Sequence, residues 1–242
     1  MRVASLHSYP IKGGYRLDHD GVEVEIDGIP GDRRWLVTDP DGSLITQTAV
    51  ARLGQVRSAP AGTGLTLSAP GMPDLTVAGA GSEADDWLSA ALDRKVHLVR
   101  LERRPPGENP LLVTTTASLG ALNDRLLESG SPEGPLPMTR FRPNVVLSDV
   151  SPWAEDAWIG GRIRIGGLVF RVTEACERCV ITTIDQETGE RGREPLRVLA
   201  RFRNIDQGLL FGVYLAAEVP GRLAVGDTVE VPAGSWPGML VG

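Results

Sequence analysis

Two cysteines stand three positions apart, Cys176-Glu177-Arg178-Cys179, and the 242-residue chain has no others. Thiols at this spacing admit four chemistries. A structural zinc centre needs four Cys or His ligands, and the three histidines, His7, His19 and His97, are scattered along the chain. A thioredoxin-like dithiol draws its low thiol pKa from a helix N-terminus, whereas here both flanks read as strands. Leu168, Phe170 and Val172 alternate on the way in, and Val180-Ile181 is a β-branched run on the way out. A pair of buried core cysteines is the plain alternative. The fourth chemistry is a single thiolate holding a soft or high-valent metal at a strand end, with basic residues nearby for an anionic cofactor. Arg178 beside Cys179 would help keep such a thiolate ionised. That reading requires basic and hydroxyl residues elsewhere, and Lys12, Arg33, Ser118, Arg142 and Asn144 answer to it.

The elements around these residues set where they can point. Lys12 follows a first strand, residues 2–9, in the turn Tyr9-Pro10-Ile11-Lys12-Gly13-Gly14, where proline fixes φ and the glycines permit a tight backbone. That turn suits either an anion or solvent. Val22, Val24 and Ile26 alternate with acids as a half-buried strand. Arg33 and Arg34 precede Trp35-Leu36-Val37, and on a strand they would face opposite ways, so one of them points inward. Short apolar segments separated by Pro-Gly turns continue to residue 78, a rhythm of sandwiches and barrels. Ser82–Leu92 reads as a helix capped by Ser82, with Trp87, Leu88, Ala91 and Leu92 on one face. Strand 96–101 follows. Arg103–Pro110 reads as a linker between a β-rich first part and a mixed second part.

Val113–Ser118 opens a helix through Leu119, Leu122 and Leu126, with Thr116 or Ser118 as the capping hydroxyl and a potential anion site at its N-terminus. Met138–Leu147 enters a strand, on which Arg142 and Asn144 share a face, stiffened by Pro143 between them. That pair suits an oxygen-rich ligand or a strand-edge salt bridge. Gln186–Arg193 reads as a polar loop, Pro195 as the start of a helix through Leu196, Leu199 and Phe202, and 211–216 and 223–231 as closing strands.

Composition narrows the class. The 29 glycines and 18 prolines, about a fifth of the chain, favour many turns and short strands. Hydrophobic residues make up 41%, enough for a substantial core. The formal net charge of −6 argues against a whole-surface attraction to nucleic acid. The first residues lack the apolar run of a signal peptide, and nothing approaches the roughly 18–20 apolar residues of a membrane span. A soluble, cytoplasmic protein is expected. Two close cysteines cannot form a disulfide framework, which agrees with a reducing compartment.

Taken in order, Tyr9-Pro10-Ile11-Lys12, Asp32-Arg33-Arg34-Trp35, Arg140-Phe141-Arg142-Pro143-Asn144, Cys176-Glu177-Arg178-Cys179 with Thr182-Thr183, Phe211-Gly212-Val213-Tyr214 and Val225-Gly226-Asp227 resemble the MOSC family, named for the C-terminal domain of molybdenum cofactor sulfurase. The resemblance covers nearly the whole chain and is nearest to the amidoxime-reducing molybdenum enzymes. It implies a mostly β (α+β) fold: a MOSC N-terminal β-barrel-like domain at 1–102, and a β-barrel MOSC domain with a few short helices at 103–242. It implies a molybdenum–molybdopterin cofactor between the two domains, with Cys179 as the metal ligand and catalytic centre and Cys176 as a cysteine that does not bind metal. Lys12, Arg33, Arg142, Asn144 and Arg178 would hold the pterin and its phosphate, with Tyr214 and Ser118 as further contacts. Gly13 departs from the serine often found after the lysine, so backbone N–H would replace a side-chain hydrogen bond.

The activity implied is reduction of small N-hydroxylated or N-oxide substrates by removal of one oxygen. The chain has no cysteines left for an iron–sulfur cluster and no dinucleotide fingerprint, so electrons are expected from a separate protein, ferredoxin-like or a flavin reductase. An alternative function is a carrier that holds the cofactor, or a persulfide on a cysteine, for delivery to an enzyme.

Overall fold

The computed structural model describes residues 1–105, 110–206 and 208–231. The fold is mostly β, with three α-helices among the described residues: Ser82–Leu92, Thr116–Glu128 and Leu196–Phe202. The main sheet is mixed and runs, in spatial order, Val229–Glu230, Arg162–Ile165, Leu168–Glu177, Gly208–Ala217, Leu111–Thr115, Val145–Ser148, Arg2–Ser8 and Leu17–His19, with Asn204–Ile205 hairpinned onto Gly208–Ala217. Its neighbours pair antiparallel except Leu111–Thr115 with Val145–Ser148, which are parallel. That pair needs a crossover, and helix Thr116–Glu128 lies in it.

Residues early in the chain pair with later ones. Arg2–Ser8 hydrogen-bonds to Val145–Ser148, and Gly21–Val24 to Gly221–Ala224. Trp35–Thr38 pairs with His97–Arg100, and Arg57–Ala61, Gly64–Ser68 and Leu75–Val77 form a three-stranded meander. Three apolar clusters follow from the alternation. One centres on Phe170, Leu215 and Ile163 of the main sheet, and one on Trp35, Leu67 and Leu88. The third packs helix residues Leu122, Leu126 and Leu199 on Phe141 and Phe211. Each fully buried side chain of this size contributes about 1.5–3 kcal/mol.

Several local expectations are corrected. Val180-Ile181 is not a strand: Val180–Thr183 forms a 3₁₀ turn with Cys179 at its N-cap. The threonines explain it, because Thr182 Oγ1 donates to Cys179 O (2.9 Å) and Thr183 Oγ1 to Val180 O (2.8 Å), a local bonding that competes with a sheet ladder. Residues 111–115 are a strand, and the cap of the next helix is Thr115, whose hydroxyl accepts from Ser118 N (3.0 Å). Ser82 is not a cap either; Gly81 holds that position. Asp85 instead accepts from Leu98 N (2.8 Å) and meets His97. Arg33 and Arg142 lie in left-handed turns (φ 55° and 54°), not in strands. The proposed linker is described only in part, since 106–109 fall outside the described residues.

Strand Gly208–Ala217 carries a conformational requirement at Gly212. Its φ is +81°, and a Cβ there would lie 2.6 Å from Val113 O. Gly212→Ala is expected to destabilise the protein by about 1–3 kcal/mol, the usual cost of a strained backbone, read as a lower urea midpoint at unchanged slope.

Candidate functional site

The strand Leu168–Glu177 shifts register twice against its neighbour, between Val172 and Ala175 and again before Glu177. Such bulges bend a strand and re-aim side chains, and here they precede the Cys176–Cys179 corner. Cys176 is buried and Cys179 exposed. Both line a cavity of about 410 Å³ with Lys12, Arg33, Arg104, Leu112, Phe141, Arg142, Asn144, Arg178, Ile181 and Tyr214. That volume suits a small organic ligand. Seven sequence-derived positions, Lys12, Arg33, Arg142, Asn144, Arg178, Cys179 and Tyr214, thus meet at one cavity although they span two hundred residues.

Two of the nine positions do not line it. Gly13 turns with φ +85° against Leu53, and its carbonyl accepts from Gln47 Nε2 (2.7 Å). Ser118 is fully buried in a separate network: its hydroxyl donates to Glu155 Oε2 (3.0 Å) and accepts from Trp153 N (2.9 Å). Burial raises the Glu155 pKa, opposed by hydrogen bonds from its own backbone and from Ser118. A carboxyl whose folded pKa is raised favours folding most below its unfolded pKa, and that contribution is lost as pH rises through the folded pKa. Glu155→Gln is therefore expected to gain melting temperature relative to wild type as pH rises from about 4 to neutral. A difference constant with pH would show that Glu155 does not titrate this way.

The cationic side chains are held by a buried acid that the sequence did not single out as a site residue. Asp32 Oδ1 accepts from Tyr9 N (2.7 Å). Its Oδ2 accepts from Arg33 Nη1, from Asn144 Nδ2 (3.2 Å) and from Arg104 Nη2 (3.3 Å). Asn144 in turn accepts from Arg33 Nη1 (3.1 Å) and Leu112 N (3.1 Å). Burial works against the Arg33 charge, but Asp32 and its other partners more than offset it, and its pKa is raised. Arg104 belongs to the expected linker, yet it lines the cavity. Its only sequence signal was a basic residue beside Pro105-Pro106.

Arg142 is placed differently. Its Nη1 donates to Gly14 O (2.7 Å) and Gln186 Oε1 (3.2 Å), and its guanidinium lies 4.2 Å from the centre of the Tyr9 ring. Arg33 faces the same ring at 4.8 Å. Burial brings the Arg142 pKa down to about 10, and the charges of Arg33 and Arg178 push the same way against Tyr9 and Asp32. Its Nη2 is buried without a partner. Gln186 is a second missed residue: buried, it also donates to Thr139 O (2.7 Å), and nothing in its polar loop distinguished it. The loop itself is tied to the early part of the chain, since Tyr15 donates to Glu187 and Arg191 Nη2 to Thr48 O (2.6 Å).

Arg178 donates to Cys176 Sγ (2.7 Å) and Phe141 O (2.5 Å), and its Nε is buried without a partner. Phe141 is fixed by stacking on Phe211 at 3.8 Å. The Cys176 thiol lies 3.1 Å from the Tyr214 hydroxyl. Burial first, and then Cys176, push the Tyr214 pKa well up, so this hydroxyl keeps its proton at neutral pH.

Five cationic side chains, Lys12, Arg33, Arg104, Arg142 and Arg178, therefore converge on one cavity whose lining includes a single carboxylate, Glu177. Buried guanidinium N–H groups left unpartnered are costly, and an anion with several acceptor oxygens satisfies them. The exposed Cys179 sulfur lies on the same wall.

Comparison with known proteins shows the family of the chain. The MOSC domain profile matches residues 86–230, and the MOSC N-terminal beta barrel domain profile matches residues 1–100. Mitochondrial amidoxime-reducing component 1 of Homo sapiens is 30% identical, across 94% of this chain and 82% of that protein. Its Mus musculus counterpart is 31% identical, across 94% and 81%. Molybdenum cofactor sulfurase of Oryza sativa subsp. japonica is 28% identical across 98% of this chain, which spans only 34% of that protein.

Proposed function

Because the chain belongs to the MOSC family, we propose that it is a molybdenum-cofactor oxidoreductase that removes oxygen from small N-hydroxylated or N-oxide substrates. The observation that carries this reading is the cationic cavity, with its unpartnered guanidinium nitrogens and a sulfur on the wall. Those donors fit a phosphate-bearing, pterin-like anion, and a thiolate is a fitting ligand for molybdenum. Arg33, Arg142, Asn144, Arg178 and Lys12 would hold the anionic part and Cys179 the metal. When bound, the cofactor would supply two-electron oxygen-atom chemistry, in which the oxygen removed from the substrate leaves as water after taking up two electrons and two protons.

The chain's own residues contribute binding and exclusion of water. Asp32 and Gln186 orient the arginines. Leu112, Phe141 and Ile181 form the apolar part of the wall, which strengthens the charge interactions beside it. Tyr214 holds a hydroxyl proton near the Cys176 sulfur.

Other parts of the reading belong to the same proposal. Residues 1–102 and 103–242 act as two domains, and both contribute side chains to the cavity lining. Electrons come from a separate ferredoxin-like or flavin-dependent protein, and the compartment is the cytoplasm. No helix among the described residues is long and apolar enough to cross a membrane. The likeness to the sulfurase favours one other reading, a carrier of cofactor or of a persulfide on Cys179.

The deciding experiment is expression with molybdate, metal and pterin quantification, and benzamidoxime reduction with dithionite-reduced methyl viologen. Near-stoichiometric molybdenum with turnover is expected. Metal-free protein carrying a persulfide, detected by mass spectrometry, would mean a carrier instead.

A further inference from the structure

We propose that an exposed arginine row, Arg193, Arg197 and Arg201, is the docking face for a small acidic electron-transfer protein. The proposal rests on the reading of the cavity as a redox centre supplied with electrons from outside.

The row has a four-residue spacing. Arg197 and Arg201 stand four apart on one face of the helix Leu196–Phe202, and Arg193 lies just ahead of that helix, its carbonyl accepting from Arg197 N (3.2 Å). All three are exposed, and among the described residues none of the three side chains forms an ion pair or hydrogen bond. The opposite face supplies the packing, through buried Val198 and Leu199. The nearby acids are engaged elsewhere. Glu194 is buried and accepts from Val198 N (2.9 Å), and Glu133 accepts from the backbone N–H groups of Arg193 and Glu194.

Like charges four apart destabilise a helix. One arginine in the last turn complements the helix dipole, but a row of three has no such explanation. It is also the reverse of the whole chain's charge of −6.

The row's position connects it to the site. The helix packs on the 3₁₀ turn Val180–Thr183 that follows Cys179, and Gly192 N donates to Thr183 O (2.9 Å). Cys179 and Val180 are exposed there, and the helix also contacts the Asn204–Ile205 hairpin, where Ile205 is exposed. Apolar spots beside arginines make a protein-docking composition. Charge complementarity of this kind mainly raises association rate. A short row on an acidic protein suits an acidic protein better than a long polyanion.

The test uses a reduced acidic plant-type ferredoxin as donor and methyl viologen as a charge-insensitive control. In wild type, the second-order rate with ferredoxin should fall steeply with salt. R193E/R197E/R201E should lower that rate about tenfold or more at low ionic strength and flatten its salt dependence, with viologen turnover unchanged. R193K/R197K/R201K should retain the rate, because charge suffices for steering. Calorimetric titration with oxidised ferredoxin should weaken in parallel. Equal ferredoxin binding and rate in the charge-reversed protein would overturn the proposal. So would a row that binds RNA homopolymer or anionic vesicles but no ferredoxin. If viologen supports no turnover in wild type, the redox reading fails by itself, and the ferredoxin titration still decides the surface.

Discussion

Asp32→Ala should cost about 3–5 kcal/mol of stability, the usual penalty for breaking a buried ion pair from one side, and should abolish the cavity's hold on anions. Asp32 has a fully buried side chain, and Arg33 beside it is largely buried. Removing the carboxylate leaves Arg33 and Arg104 short of an acceptor, leaves Tyr9 N unpartnered and leaves Asn144 Nδ2 with His7 O alone (3.1 Å). Two physical effects then oppose each other. Deleting a negative charge makes the cavity more positive, and Coulomb attraction alone predicts tighter binding of phosphate. Loss of the acceptor that orients Arg33 and Asn144 predicts weaker binding, because directed, charge-assisted bonds carry the specificity. The second effect is expected to win, since the same carboxylate fixes several donors at once. Phosphate raises the melting temperature of a protein that binds it only when folded. Cofactor-free wild type should therefore gain stability with added phosphate, and Asp32→Asn, which keeps the shape with less disturbance, should gain much less. An Asp32→Asn protein stabilised more than wild type would show that charge, not orientation, governs the cavity.

How much of this was legible in the sequence depended on the range of the interaction. Strict alternation in Leu168–Val172 reported its strand faithfully, because side-chain period and one-sided burial are local properties, whereas the alternation at Val22–Ile26 holds only to Val24, and Ile26 is an exposed turn residue. The helix at Ser82–Leu92 was legible to the residue for the same reason. Val180-Ile181 misled, because β-branched propensity is a weak preference that two threonine hydroxyls bonding to their own preceding carbonyls override. Arg33 and Arg142 were expected on strands, but both reach the cavity from left-handed turns, where strain is tolerated because their guanidinium groups are held on several sides. Asp32, Gln186 and Arg104 were not legible as site residues. Their roles consist of hydrogen bonds to residues up to 112 positions away, and no local pattern encodes such a partner. Ser118 shows the converse, since a hydroxyl at a helix start looks the same in sequence whether it faces a ligand or, as here, Glu155 and Trp153.

The two cysteines should separate cleanly under substitution. Cys179 is exposed, so Cys179→Ser is expected to leave stability within about 0.5 kcal/mol of wild type, as for most surface changes. The same variant should reduce molybdenum to background and abolish benzamidoxime reduction, because a serine hydroxyl replaces a soft thiolate ligand with a hard, rarely ionised one. Cys176→Ala should do the opposite. It removes the acceptor of Arg178 Nη1 and the neighbour of the Tyr214 hydroxyl. Leaving a buried guanidinium N–H unpaired costs about 1–3 kcal/mol, so the urea midpoint should fall while metal content stays above that of Cys179→Ser. The pair of measurements, metal per chain and unfolding midpoint, assigns each sulfur independently of the other. Metal retained in Cys179→Ser but lost in Cys176→Ala would transfer the ligand role to Cys176. Cys179 would then be an exposed thiol beside the site, the position that a persulfide-carrying sulfur requires.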